Sequence, residues 1–264
     1  MLRHERLTSV LELLAARGTL TVAEIAGEFA ISPATVRRDL DDLAGQQLVG
    51  RTRGGAVAQS VTYDLPLRYK TVHQPAEKQR IAMAAAGMVQ PGEIVGLNGG
   101  TTNSEVARAL ATRSDLAQVN SSGVTSGFTV VTNALNIANE LTVRPHIKIV
   151  VLGGVARPQS YELVGPLATT VLEKLTMDVL FLGVEGLTPG EGAAAIHEGE
   201  AQINHMMVER SQRVVVVADS TKLGRRAFCT ICDTGRIDVL ITDRAADPKV
   251  LRQFRSAGVE VRAV

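Results

Sequence analysis

The sequence predicts two folded units, a small winged helix-turn-helix followed by a larger, mainly parallel α/β domain. Three observations carry that expectation. Residues 22–43 hold two amphipathic helix patterns separated by a tight turn, a basic pair of strand-like segments follows them, and beyond about residue 76 helix-like and strand-like segments alternate. The later strands are almost continuously apolar, the pattern of a parallel sheet covered on both faces. With 264 residues, 45% of them apolar, the chain is long enough for both cores. The expected divisions are 1–57 for the first unit, 58–75 for a linker and 76–264 for the second.

In the first unit, Leu7, Val10, Leu11 and Leu14 recur at helical spacing and stop at Arg17-Gly18, a helix-ending pair. Thr21-Val22-Ala23-Glu24 is a capping box that opens a second helix continued by Ile25 and Phe29. Ala30 and Ile31 leave room for a tight turn only. Ser32 then caps a third helix whose first position is Pro33, where the missing N–H costs nothing. Val36, Leu40 and Leu43 form one apolar stripe, so Arg38 and Ala34 point away from the core, flanked by Thr35 and Arg37. A hydroxyl and two guanidiniums on an outer face reach phosphates and guanine edges in a major groove, and Ser32 lies beside them. An ordinary solvated face would explain one arginine pair alone. The capped helix, tight turn and third helix together instead make a helix-turn-helix. Asp41 and Asp42 share the outer face one turn later and are expected to pair with Arg37 and Arg38. Residues 47–57 read as two short strands around a turn, with Arg51 and Arg53 on one face as a basic wing.

The formal net charge is +1, so no global basic field draws the chain to nucleic acid. Up to residue 57, seven arginines (3, 6, 17, 37, 38, 51, 53) meet seven acids (5, 12, 24, 28, 39, 41, 42). Any DNA site must therefore come from local arrangement. The two cysteines, Cys229 and Cys232, exclude a disulfide framework and lack the second pair that a zinc site needs, so buried free thiols are expected. The five histidines show no ligand spacing, and neither metal nor cofactor is expected. No signal peptide or long apolar run appears, which reads as a cytoplasmic protein without a membrane partner.

The run T-V-A-E-I-A-G-E-F-A-I-S-P-A-T-V-R-R-D-L, followed by L-V-G-R-T-R-G-G-A, resembles the winged helix-turn-helix of the DeoR family of bacterial transcriptional regulators. The resemblance implies a repressor of carbohydrate genes whose larger domain binds a phosphorylated sugar or related metabolite.

The second unit is read on its own chemistry. Helices are expected at 76–88, 104–110, 134–141, 167–175, 199–210 and 248–257, and strands at 94–97, 129–131, 147–152, 179–182, 214–218 and 239–242. Ligands of such sheets sit at the carboxyl ends of the strands. There stand Asn98-Gly99-Gly100-Thr101-Thr102, with Thr102 and Glu105 as a capping box, then Thr132-Asn133, Gly153-Gly154 and Asp219-Ser220-Thr221-Lys222. Close backbone, hydroxyls, a helix N-terminus and the Lys222 ammonium suit a phosphate. The segments N-G-G-T-T, V-V-T-N-A-L, V-L-G-G and A-D-S-T-K resemble the family's effector domain, which is related in fold to sugar-phosphate isomerases. Position 98 is Asn where the family commonly has Asp. Residues 111–128 read as a polar surface connection and 186–200 as a lid, an oligomer contact or a plain loop.

The alternative is an isomerase-like enzyme of sugar phosphates, with Asp219, Glu185 and Glu200 as the available acids, but no acid/base pair stands out and no catalytic residue is assigned. The expected partners are a double-stranded DNA operator with repeated or palindromic half-sites, a phosphorylated sugar, and further copies of the chain in a dimer or tetramer.

Overall fold

A computed structural model describes residues 2–46, 48–58, 67, 74–116, 118–119 and 125–264. The chain divides into two compact units, Met1–His73 and Gln74–Val264. Most of the expected linker lies outside the described residues, as do 120–124 within the polar stretch 111–128.

The first unit runs α1 (Arg3–Arg17), β1 (Thr19–Thr21), α2 (Val22–Phe29), α3 (Pro33–Gly45), β2 (Val49–Thr52) and β3 (Gly55–Ala58). Gly18 ends α1 with φ 75° and donates its N–H to Leu14 O. The capping box forms as read: Glu24 N–H donates to Thr21 Oγ1 at 3.2 Å and Thr21 N–H to Glu24 Oε2 at 2.7 Å. Leu7, Val10, Leu11, Leu14, Ile25, Val36, Leu40 and Leu43 make one core with Leu48, Val49 and Ala56. The two wing strands pair antiparallel, and β1, three residues too short to show a period, joins them in the order β1-β3-β2.

The second unit is a seven-stranded sheet in the order β17-β16-β14-β11-β4-β7-β8, every pair parallel. Its strands are β4 (Ile94–Leu97), β7 (Phe128–Thr132), β8 (Ile147–Val151), β11 (Met177–Leu182), β14 (Ser211–Val217), β16 (Val239–Thr242) and β17 (Glu260–Ala263). Along β11, Val179 and Phe181 enter one core with Ile81, Val106 and Ile137, while Met177, Leu180 and Leu182 enter another with Leu172, Ile203 and Phe254. Helices α4 (Pro75–Ala86), α5 (Thr101–Ala111) and α6 (Leu135–Thr142) thus cover one face, and α7 (Pro166–Leu172), α8 (Glu198–Glu209) and α9 (Pro248–Ser256) the other. Double coverage is why these strands read as continuous apolar runs.

Small pairings complete the unit: β5 (Gln118–Val119) with β6 (Thr125–Ser126), β9 (Val155–Ala156) with β10 (Leu163–Val164), and β12 (Gly186–Thr188) with β13 (Gly192–Ala195) and β15 (Cys229–Cys232). Within 186–200, read as a lid, an oligomer contact or a plain loop, Gly186–Thr188 and Gly192–Ala195 are therefore strands joined by a turn, with Leu187 and Ala193 fully buried. The Thr102–Glu105 capping box does not form. Helix α5 begins at Thr101 behind Gly100, whose φ of 115° an L side chain would resist, and Thr102 is buried in its first turn. Cys232 is buried and its thiol is pushed up to about 11 by that burial, whereas Cys229 is half-buried.

Candidate functional site

The outer face of α3 is built as its sequence requires. Ser32 Oγ accepts the Thr35 N–H at 3.2 Å and meets Thr35 Oγ1 at 2.9 Å, so the two hydroxyls hold each other at the helix start. Val36, Leu40 and Leu43 are fully buried, which turns Arg37 and Arg38 outward, and neither arginine has an ionic partner among the described residues. The acids of α3 do not pair as expected. Asp42 meets Arg3 Nη2 at 3.1 Å, and Asp41 meets Arg51 Nε at 3.0 Å. Asp39, only 3% exposed, takes Arg6 in a two-point contact, Nε to Oδ2 at 2.6 Å and Nη2 to Oδ1 at 3.3 Å. That contact raises the Arg6 guanidinium above its usual range, mainly through the hydrogen bond. The same-helix pairs would place each arginine N-terminal to its acid, the weaker orientation on a helix, and partners on α1 and β2 take the acids instead.

The wing also differs in detail. Arg51 lies on β2 and donates to Gly55 O at 2.8 Å besides meeting Asp41. Arg53 is in the turn between β2 and β3, exposed and without an ionic partner among the described residues. The two are therefore not on one face of an extended chain.

In the second unit, chain order reverses between β4 and β11: β7 and β8 follow β4 on one side, and β14, β16 and β17 follow β11 on the other. Such a switch point opens a crevice at the strands' carboxyl ends. Asn98 stands there, directly after β4. Its Nδ2 donates to Gly183 O at 3.0 Å and its Oδ1 accepts the Gly183 N–H at 2.7 Å and Asn103 Nδ2 at 2.7 Å. At 2% exposure, Asn98 fastens the end of β4 to the end of β11. Beside it, Gly99, Gly100 and Thr101 lead into α5, whose first-turn N–H groups lack carbonyl partners within the helix.

The other strand ends fall around this point. Thr132 is buried and accepts the Ala134 N–H at 3.0 Å, so its hydroxyl shapes the turn. Asn133 donates Nδ2 to Glu162 Oε2 at 3.2 Å, and its buried Oδ1 has no hydrogen-bond partner among the described residues. Gly153 and Gly154 connect β8 to β9. A Cβ on Gly154, at φ 134°, would lie 2.6 Å from Val164 O, so this glycine serves the close pairing with β10. After β14, Asp219 accepts from Thr221 and caps its own short turn, while Lys222 Nζ meets Glu185 Oε2 at 2.6 Å. The ion pair is thus Lys222 with Glu185, from the segments that follow β14 and β11, and not Lys222 with Asp219.

Sequence reading missed three members of this cluster, Lys78, Glu162 and Arg157. Lys78 on α4 is 5% exposed; burial lowers its pKa, opposed by Asp219 and Glu185 and aided by Lys222. Nothing in its amphipathic helix marks it as buried. Glu162 stands just ahead of β10 in a segment without period, and burial together with Glu200 pushes its carboxyl up to about 8. Arg157 Nη1 donates to Glu200 Oε1 at 2.9 Å. Cations, carboxyls and orphan amides of this kind, held in a crevice, suit an anionic, hydroxylated small molecule.

Residues 6–62 match the family model of the DeoR-like helix-turn-helix domain, and residues 73–244 that of the DeoR C terminal sensor domain. The chain is 35% identical over 262 residues to the HTH-type transcriptional regulator GlpR of Haloferax volcanii, covering 99% of this chain and 98% of that one. It is 31% identical to the HTH-type transcriptional repressor GlcR of Bacillus subtilis (99% and 96%), and 29% identical to the glycerol-3-phosphate regulon repressor of Escherichia coli K12 (96% and 95%). Among solved structures, ribose 5-phosphate isomerase A of Methanocaldococcus jannaschii aligns with 55% of this chain and 53% of its own, at 16% identity and a TM-score of 0.39.

Proposed function

The chain belongs to the DeoR family of transcriptional regulators, and from that premise we propose that it is a repressor whose operator affinity is set by a phosphorylated sugar or related metabolite. The observation that carries the DNA half is the α3 face, where Ser32, Thr35, Arg37 and Arg38 stand outward over a fully buried apolar stripe. In this reading Arg51 and Arg53 contact phosphates, and two or more copies place their α3 helices on repeated half-sites in the cytoplasm. No helix of the described residues is long and apolar enough to cross a membrane.

The ligand half rests on the crevice between β4 and β11. Gly100, Thr101 and the start of α5 supply donors, and Lys222 and Lys78 supply positive charge. Regulation is favoured over sugar-phosphate catalysis because the available acids already have structural work: Asp219 caps a turn, Glu185 holds Lys222 and Glu200 holds Arg157. A relative named for the glycerol-3-phosphate regulon fits a phosphorylated effector. A ligand that prefers one arrangement of subunits changes operator affinity by its coupling energy, typically ~1–3 kcal/mol.

The test is gel-shift titration of a selected operator with a panel of phosphorylated and unphosphorylated sugars, on the parent and on Lys222→Ala. The parent should respond to a phosphorylated member only, and Lys222→Ala should bind operator like the parent yet lose the response. A Lys222→Ala variant that still responds fully would put the phosphate site elsewhere.

A further inference from the structure

The crevice already holds an acidic group of the chain's own. Glu162 lies against the Gly99-Gly100 turn: a Cβ built on Gly99 would fall 2.2 Å from Glu162 Oε1 and 2.5 Å from its Cγ. The Gly99 N–H donates to this carboxyl, and Asn133 Nδ2 donates to Oε2 at 3.2 Å. Donors from the ends of β4 and β7 therefore converge on one side chain that is 4% exposed. The charged groups that bear on it are Glu200, in the first turn of α8, and Arg157, which Glu200 holds. A carboxyl buried beside a second carboxylate is an unfavourable arrangement, and an amide of the same shape would fill the space at lower cost.

We propose that Glu162 is an affinity-determining residue of the ligand site: its carboxyl group occupies donors suited to the ligand's phosphate, and a phosphorylated ligand binds by displacing it. The inference rests on the reading of this crevice as the ligand site. A carboxyl and a phosphate present oxygens to the same donors, and the N-terminus of α5 favours either. The gap left by the missing Cβ of Gly99 admits one of them. Only an acceptor better than a carboxyl then gains by entering, so the site selects a phosphate over a carboxylate metabolite of similar size. Displacement also moves a defined piece of structure, because Glu162 sits between β9 and β10 and the chain passes through Gly165 directly into α7.

Inorganic phosphate is the probe, titrated calorimetrically into the full chain, with melting curves confirming that each variant is folded. Glu162→Ala removes the competitor and should bind phosphate about tenfold more tightly or better than the parent. Glu162→Gln keeps the shape but turns an amide N–H₂ toward one donor, so it should also bind more tightly, by less. Because burial and the neighbouring Glu200 raise the parent carboxyl above the usual carboxylate range, the gap between the parent and Glu162→Gln should widen as rising pH ionises it. Unchanged or weaker binding in both variants, with binding abolished by Lys222→Ala, overturns displacement and leaves the site in place. A parent that takes no phosphate, or a Lys222→Ala variant that binds like the parent, removes the ligand site and this inference with it.

Discussion

The face of α3 and the crevice at the strand ends hold their charges in opposite ways. On α3 every acid is drawn off by a basic group from another element, Asp39 by Arg6, Asp42 by Arg3 and Asp41 by Arg51, and Arg37 and Arg38 stay exposed. A unit with as many acids as arginines thereby presents a basic surface. In the crevice the charges are turned inward and answer one another: Lys222 with Glu185, Arg157 with Glu200, Lys78 near Asp219. The first arrangement leaves charge available for a large polyanion that brings its own counterions. The second holds positive charge and amide donors in partial burial, where each is stronger and each must be satisfied.

The contrast is broken most severely by removing Asp39, which touches no expected DNA contact. Asp39→Ala removes both acceptors of the half-buried Arg6 guanidinium, and hydrogen bonds to a charged group contribute about 1.5–3 kcal/mol each. Denaturant melting of the full chain should show an early transition, and operator binding should fall with it. Melting identical to the parent would mean that Arg6 finds water and that the pair does not anchor α3. The counterpart in the crevice is Asn98→Ala, which leaves the Gly183 N–H without its acceptor and the Gly183 carbonyl without its donor, while Asn103 Nδ2 keeps the Asn98 and Phe181 carbonyls. Each buried group so orphaned costs about 1–3 kcal/mol, and here the operator-binding surface should be spared.

This asymmetry also explains what the sequence reveals. The N-terminal unit is legible because its signals are local: Thr21 with Glu24, Ser32 with Pro33, and the Val36, Leu40, Leu43 stripe each span under ten residues. The parallel sheet is legible for the same reason, since double burial makes runs such as Val214–Val217 apolar throughout. Pairings across the chain are not. Asp39 to Arg6 spans 33 residues and Asn98 to Gly183 spans 85, and no period encodes either. Thus the tie from Asn98 to Gly183 is not read from the sequence, and Glu162 and Lys78, without motif or spacing, stay invisible until the fold brings them to the crevice. Strand β17 escapes because Glu260 and Arg262 interrupt an edge strand of four residues.

A smaller effect sharpens the comparison at the exposed face. Arg38→Ala removes a side chain that supports nothing in the fold, so stability should hold while operator affinity falls by about 1–3 kcal/mol, with selectivity relaxed at one base position. Gel-shift titration against single-base operator variants measures both, and unchanged affinity would remove Arg38 from the reading surface.

The smallest effect concerns the wing, where the two arginines are no longer equivalent. Arg53 sits at the turn without an ionic partner among the described residues, whereas Arg51 is held by Asp41 and by the Gly55 carbonyl. A phosphate contacted by Arg53 releases its counterions, so Arg53→Ala should flatten the slope of log affinity against log salt by about 0.9 and weaken all DNA sequences alike. Arg51 must give up or share Asp41 to make the same contact, because the carboxylate neutralises much of the charge that a phosphate would see. Arg51→Ala should therefore flatten the slope by less than Arg53→Ala, and Asp41→Asn should steepen it by freeing Arg51. Equal slopes for the two arginine variants, with no change in Asp41→Asn, would show that the Arg51–Asp41 pair dissolves on DNA and that the wing binds with both arginines alike. A loss confined to one base position in Arg53→Ala would instead make the wing a reader of sequence.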